Sequence, residues 1–161
     1  MFKKILLLSL FFVGCTLKAP TDFSEKALND TMFNMENKEL PFKEILKMHK
    51  GKKVLLNVWA SWCRDCIVAM PKLKELQANN PHVAYLFISS DRNTSAWKKA
   101  LEKYNIKGTH YFMKNGMNSD FGDFLNSNWI PRYLVINENG FVDLFKAKKI
   151  TDNRILNALK K

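Results

Sequence analysis

The stretch Val54–Leu73, VLLNVWASWCRDCIVAMPKL, decides how this chain is read. Val54 to Ala60 is a nearly continuous apolar run preceded by Lys52-Lys53, the pattern of a strand buried on both faces. Beyond the cysteines, Ile67, Met70, Leu73, Leu76 and Gln77 recur at helical spacing until Asn79-Asn80-Pro81 stops the helix. Cys63 and Cys66 therefore fall where a buried strand gives way to a helix. A cysteine there meets the unpaired amides of the first turn and the positive end of the helix dipole, which favour the thiolate and make it the attacking nucleophile. Arg64 adds to that effect and Asp65 opposes it. Cys66, one turn later, is placed to attack a mixed disulfide formed on Cys63, because two intervening helical residues bring the sulfurs within bonding reach.

A CxxC pair by itself also fits half of a metal site or a structural staple. Zinc needs two further ligands, and His49, His82 and His110 are widely separated. A disulfide closing so short a ring constrains little of the unfolded chain. The flanking strand and helix favour a redox pair.

The compartment is read from the other end of the chain. MFKKILLLSLFFVGCTLKAP (1–20) opens on Lys3 and Lys4. It continues as an apolar run from Ile5 to Val13 broken only by Ser9, and reaches Gly14-Cys15. This is a signal-peptide layout with an apolar segment too short to span a bilayer. Gly14-Cys15 resembles the lipobox of bacterial lipoproteins, with Phe12 where leucine is usual. The resemblance implies a signal peptide over 1–14, lipidation of Cys15, a tether over 15–24 and a folded domain over 25–161. With Cys15 blocked, Cys63 and Cys66 are the only thiols left, in a cell-envelope or periplasmic setting where disulfides persist.

Composition agrees with one globular domain: 161 residues, 47% hydrophobic and 25% charged, with only 6 Gly and 5 Pro. The formal charge is +11, or +9 once Lys3 and Lys4 are set aside. Lys43, Lys52, Lys72, Lys98, Lys146 and Lys160 are scattered, so no helix or loop carries a stripe that would track nucleic-acid phosphates. A basic surface near anionic lipid headgroups and a merely solvated, lysine-rich surface both fit.

The remaining elements follow from periodicity and turn chemistry. A short helix is expected at Phe42 to Met48, with a turn at Lys50-Gly51, and a second buried strand at Val83 to Ser90. Asp91 to Ser95 offers helix-start chemistry for a helix carrying Trp97, Leu101 and Tyr104 and stopping at Gly108. A short strand at Thr109 to Met113 and a helix at Asn118 to Leu125 come next. A hairpin through Asn137-Glu138-Asn139-Gly140 joins strands Tyr133–Ile136 and Phe141–Phe145, and a final helix covers Asp152 to Leu159. The sum is an α/β domain with a mixed sheet and helices on both faces. Phe121 and Phe124 read better as core than as a substrate groove.

The second informative stretch is NWIPRYLVI (128–136). Pro131 stands directly before a strand, where a cis bond and a strand-initiating trans bond are equally consistent with the residues. Together VLLNVWASWCRDC, Pro71 and WIPRYLVINENG resemble the thioredoxin superfamily, and more narrowly its TlpA/ResA branch of membrane-anchored, extracytoplasmic thiol-disulfide oxidoreductases. The resemblance covers roughly Lys38 to Lys161.

It implies a thioredoxin-like fold with an insert, placed within Gly108 to Asn128, before a cis-Pro131 strand. Ile130 and Pro131 would lie against the cysteines, with the Ile130 backbone and Trp62 meeting substrate. Trp59, Asn57, Arg64 and Asp65 would shape the site, and Pro71 would kink its helix. No cofactor is implied beyond the dithiol itself. The implied partners are disulfide-bonded extracytoplasmic proteins such as apocytochrome c and a membrane thiol donor.

Two positions depart from related patterns: Asn57 stands where thioredoxins proper bury an aspartate, and Ala69 where ResA-like members often carry a glutamate. The group that deprotonates Cys66 is then unidentified, with water, Asp120 or Asp123 as options. A peroxide reductase on the same fold is a rival reading, although Ala60 stands where its threonine is usual. A non-enzymatic metal-binding lipoprotein is another.

Overall fold

The computed structural model describes residues 19–127 and 129–161. The signal peptide and Cys15 lie outside the described residues. The strands are β1 (Thr31–Phe33), β2 (Glu39–Pro41), β3 (Val54–Trp59), β4 (Ala84–Ser89), β5 (Thr109–Met113), β6 (Arg132–Ile136) and β7 (Val142–Ala147). The helices are α1 (Glu25–Asn29), α2 (Phe42–Met48), α3 (Arg64–Asn79), α4 (Thr94–Tyr104), α5 (Asp120–Leu125) and α6 (Asn153–Leu159).

All seven strands join one sheet in the order β2-β1-β5-β4-β3-β6-β7. Strand β3 runs parallel to β4 and antiparallel to β6, so it has a neighbour on each edge. Every one of its side chains is buried, which is why its sequence shows no polar alternation. Strand β5 extends the parallel set beside β4, and β7 closes the other side antiparallel to β6.

Helix α3 buries Cys66, Met70, Leu73 and Leu76, a stripe at helical spacing that carries the second cysteine into the core. The helix continues through Pro71, whose ring nitrogen cannot bond the preceding turn. Helix α4 is capped by Asn93, whose side chain accepts from the Ala96 amide, and it buries Trp97, Ala100 and Leu101.

Three features differ from the sequence expectations. The stretch before α2, for which no strand is expected from the sequence, holds an antiparallel hairpin of β1 and β2, and β1 also pairs with β5. Packing also begins ahead of residue 25. The Thr21 carbonyl accepts from the Val142 amide at 2.7 Å, and the Phe23 ring meets Phe42 and Phe124 at 4.9 Å each. Phe121 lies in the same aromatic cluster, 4.6 Å from Phe42, so these rings are core rather than groove.

The third difference is the end of α4, which is Asn105 in the left-handed region (φ 45°) and not Gly108. Gly108 serves a different need. A Cβ there would lie 2.6 Å from the Tyr85 carbonyl oxygen and 2.7 Å from the Phe87 ring, so only glycine lets this turn press onto β4. The segment before β6, expected as an insert, consists of β5, a 3-10 turn at Gly116–Asn118 and α5.

Candidate active site

The chain reaches the site where β3 ends. Ala60 to Trp62 make the turn, and Cys63 caps α3: its Sγ accepts from the Cys66 amide at 3.1 Å. Cys63 and Cys66 form a disulfide with their Cα atoms 5.3 Å apart. Both are buried, Cys63 at 6% exposure and Cys66 at 1%, so the first cysteine is the one nearer the surface. The Ile130–Pro131 bond is cis. It sets the Ile130 carbonyl oxygen 3.6 Å from Cys63 Sγ. The oxidised sulfur has no proton to donate, so this is close packing; a thiol in the same place would have an acceptor.

Above the pair lies a cavity of about 340 Å³ lined by Trp62, Cys63, Arg64, Asp65, Trp129 and Ile130. Trp62 and Trp129 are 59% and 58% exposed, large apolar surfaces held beside a reactive bond on both sides. Trp62 was anticipated from the sequence; Trp129 was not, although it opens the quoted WIPRYLVI.

A second residue missed by sequence reasoning is Asp91, 3% exposed and just past the end of β4. Its carboxylate accepts from the Ser61 amide at 3.0 and 3.1 Å, from Ser61 Oγ at 2.5 Å and from Ser89 Oγ at 2.8 Å. Strand β4 thereby grips the turn that carries Trp62 and Cys63. A buried carboxylate needs such donors, and charge-assisted bonds are the stronger kind. The available signal was an aspartate ending a buried strand, SSD, beside which a partner loop had to run.

The residues expected to shape the site divide. Trp59 and Asn57 are buried in β3, and Asn57 Oδ1 has no bonding partner among the described residues. Asn57 stands opposite Tyr133, whose hydroxyl is likewise unpartnered and whose ionisation burial pushes upward. Arg64 and Asp65 sit exposed on the first turn of α3. Ala69 lies on the same helix and offers no carboxylate. Asp120 and Asp123, considered as proton acceptors, are exposed in the first turn of α5 and do not line the cleft. No cluster of three His, Cys, Asp or Glu side chains that could hold a metal occurs among the described residues.

Beneath Trp129 lies Arg132, 3% exposed. Its Nη2 donates to Ser127 Oγ and, at 3.2 Å, to the Trp129 carbonyl, fastening the loop that ends in the cis bond.

A mixed sheet whose central strand delivers a CxxC disulfide to a helix N-terminus, faced by a cis-proline, defines a thioredoxin-fold protein with a cysteine-pair centre. The thioredoxin-like family profile matches residues 51–142, and the chain belongs to that family. It is 31% identical over 104 residues to the thioredoxin-like protein YneN of Bacillus subtilis, covering 62% of this chain and 59% of the relative. It is 30% identical over 117 residues to the thiol-disulfide oxidoreductase ResA of Bacillus cereus, covering 66% of this chain and 65% of the relative. The chain thus spans less than two thirds of these curated relatives. A candidate thiol-disulfide oxidoreductase from Bacteroides vulgatus, solved in solution, superposes with a TM-score of 0.67 at 26% identity. The superposition covers 81% of this chain and 84% of that one.

Proposed function

We propose that this chain is an extracytoplasmic protein-disulfide reductase of the TlpA/ResA kind, held at the membrane by lipid on Cys15. The observation that carries the reading is the Cys63–Cys66 disulfide at the start of α3, open to a cleft between Trp62 and Trp129 and backed by the Ile130 carbonyl. The printed name of ResA, a thiol-disulfide oxidoreductase, supports the same chemistry.

In the reduced form, the Cys63 thiolate is stabilised by the Cys66 amide and the helix start. It attacks one sulfur of a substrate disulfide, forming a mixed disulfide and releasing the other substrate sulfur as a thiolate. The Cys66 thiol gives up its proton through water to the substrate thiolate already released and attacks Cys63 Sγ, which releases the second substrate sulfur and forms the Cys63–Cys66 disulfide. Two electrons have then moved from the pair to the substrate, which leaves as a dithiol. A membrane dithiol donor restores the pair: one of its thiolates attacks Cys63 Sγ and frees Cys66, and its second thiolate attacks the resulting mixed disulfide, freeing Cys63 and leaving the donor as a disulfide. The dithiol carries the electrons, so no cofactor takes part. The Ile130 backbone and Trp62 align the substrate strand, and misoxidised proteins or apocytochrome c are the substrates.

Insulin reduction tests the reading. Cys63→Ser abolishes turnover, and Cys66→Ser accumulates mixed disulfides visible on non-reducing gels. Full turnover by Cys63→Ser overturns the proposal. A couple near about −270 mV fits the reducing direction, and one near about −120 mV would make the chain an oxidant.

A further inference from the structure

A second depression adjoins the cleft, and it is built around a buried charge. A cavity of about 410 Å³ on the far side of Trp129 is lined by Asn126, Ser127, Trp129, Arg132, Lys146 and Lys148. Trp129 is common to both depressions, so they lie side by side along one surface. Arg132 is 3% exposed, its Nε has no hydrogen-bond partner, and no carboxylate pairs with it among the described residues. Its bonds go to neutral groups, Ser127 Oγ and the Trp129 carbonyl. Burial draws its basicity below the ordinary value, yet a guanidinium stays charged at neutral pH.

Buried charges in proteins are paired or hold ligands. The surroundings here add positive charge instead of cancelling it. Lys146 keeps a left-handed backbone (φ 63°) and donates from Nζ to the Asn126 carbonyl at 3.1 Å, while Lys148 is exposed at the rim. Asn126 is itself left-handed, at φ 44°. Two uncommon backbone conformations thus border one cationic hollow.

The geometry points to a carboxylate subsite: the hollow of Arg132, Lys146 and Lys148 receives an acidic side chain of the polypeptide whose disulfide is presented to Cys63. The guanidinium suits a carboxylate, which can accept from the N–H groups that neither Ser127 nor the Trp129 carbonyl takes among the described residues. A polypeptide lying across Trp129 places residues near its cysteine over this hollow, which favours a substrate side chain over a lipid headgroup. The inference deepens the proposed function and rests on it for the identity of the occupant.

Binding to the oxidised full chain tests it without turnover. The probes are two cysteine-free peptides of one sequence, one carrying glutamates and the other glutamines. The glutamate peptide binds about tenfold tighter at low salt, and the preference shrinks as salt screens it. Lys146→Gln/Lys148→Gln and, separately, Arg132→Met each bring the ratio below about threefold while thermal melting shows a folded protein. Equal binding of the two peptides overturns the subsite. Phosphatidylglycerol vesicles or inorganic phosphate that bind through the same residues, with no peptide preference, overturn it in favour of a headgroup or free-anion site. Insulin reduction lost with the peptide ratio intact would defeat the proposed reaction alone, whereas a ratio of one with insulin reduction intact would defeat the subsite alone.

Discussion

Lys53 and Arg132 are both buried cations beside the central strand, and the protein treats them in opposite ways. Lys53 precedes β3 at the end away from the cysteines. Its Nζ lies 3.3 Å from the Ala158 carbonyl, 3.7 Å from Asp143 and 3.9 Å from Glu138. Arg132 pairs with Val58 near the cysteine end and faces no carboxylate among the described residues. One end of the sheet is electrostatically closed, and its lysine ties β7 and the final helix to the core. The other end keeps two exposed tryptophans and, among the described residues, an unpartnered guanidinium nitrogen and unpartnered Asn57 and Tyr133 atoms beside the cysteine pair, where the lysine end has one such atom, His49 Nε2, and exposes Met48 and Phe141. Where a fold leaves polar groups unsatisfied and apolar surface bare, binding accounts for the cost better than stability does.

The largest effect should come from the one closed network at the cysteine end. Asp91→Asn replaces an acceptor oxygen by a donor facing Ser61 or Ser89, and should cost about 1.5–3 kcal/mol in denaturant unfolding. Loosening the turn should also slow reduction of hydroxyethyl disulfide by roughly tenfold, since small misplacements of reacting groups are expensive. Unaltered exchange in a destabilised protein would make Asp91 purely structural. Lys53→Met should come next, at about 1–2 kcal/mol, because it strands the Ala158 carbonyl and takes the cation from Asp143, while half-exposed Glu138 stays solvated. Exchange rates should not change.

Arg132→Met is the sharpest contrast. An apolar side chain of similar volume removes a buried charge that has no carboxylate partner among the described residues, which offsets the lost bonds to Ser127 Oγ and the Trp129 carbonyl, groups that also bond each other, so unfolding should shift by less than about 1 kcal/mol in either direction. A loss as large as that of Lys53→Met would erase the distinction between the two cations.

The smallest effect concerns pH. His110 stacks on Phe87 at 5.0 Å and bonds through Nε2 to the Ile106 carbonyl at 3.0 Å, leaving Nδ1 buried without a partner among the described residues. Burial holds its pKa below 6.5, and the Ile106 bond only partly opposes that. Below about pH 6.5 the unfolded chain therefore binds a proton that the folded chain resists. Stability is full above that value and falls as the pH drops toward the lowered folded value. Melting temperature should decline by a few degrees across that window, and His110→Phe should flatten the slope. His49, lowered by burial and by Lys52, adds to the same trend. An unchanged slope in His110→Phe would assign the decline elsewhere.

Legibility in the sequence tracked how local each cause was. Strand β3 and helix α3 were readable because one carries an unbroken apolar run and the other a helical stripe ending in Asn-Asn-Pro. Helix α2 and strand β5 have the same bounds in the sequence reading and in the structure. The hairpin of β1 and β2 was not readable, since three-residue strands with mixed burial carry no period. The left-handed Asn105 displaced Gly108 as the helix stop because Gly108 is reserved for close contact with β4. In the site, the cysteine pair stood out by residue type and Pro131 by its place before a strand, while Ile130 and the cis bond followed only from the family resemblance. Asp91, Trp129 and Arg132 did not, because what matters about each is a partner, or the lack of one, that only the folded chain reveals.

The bond from the Val142 amide to the Thr21 carbonyl fixes the direction from which the chain enters the domain. Val142 pairs with Ile136, which pairs with Val54, so residue 21 sits level with the beginning of β3. The cysteines follow the end of that strand, six residues on, or about 20 Å at strand rise. That separation makes the sheet a spacer between Thr21 and the cysteine pair. The disulfide lies at the opposite end of β3 from Thr21.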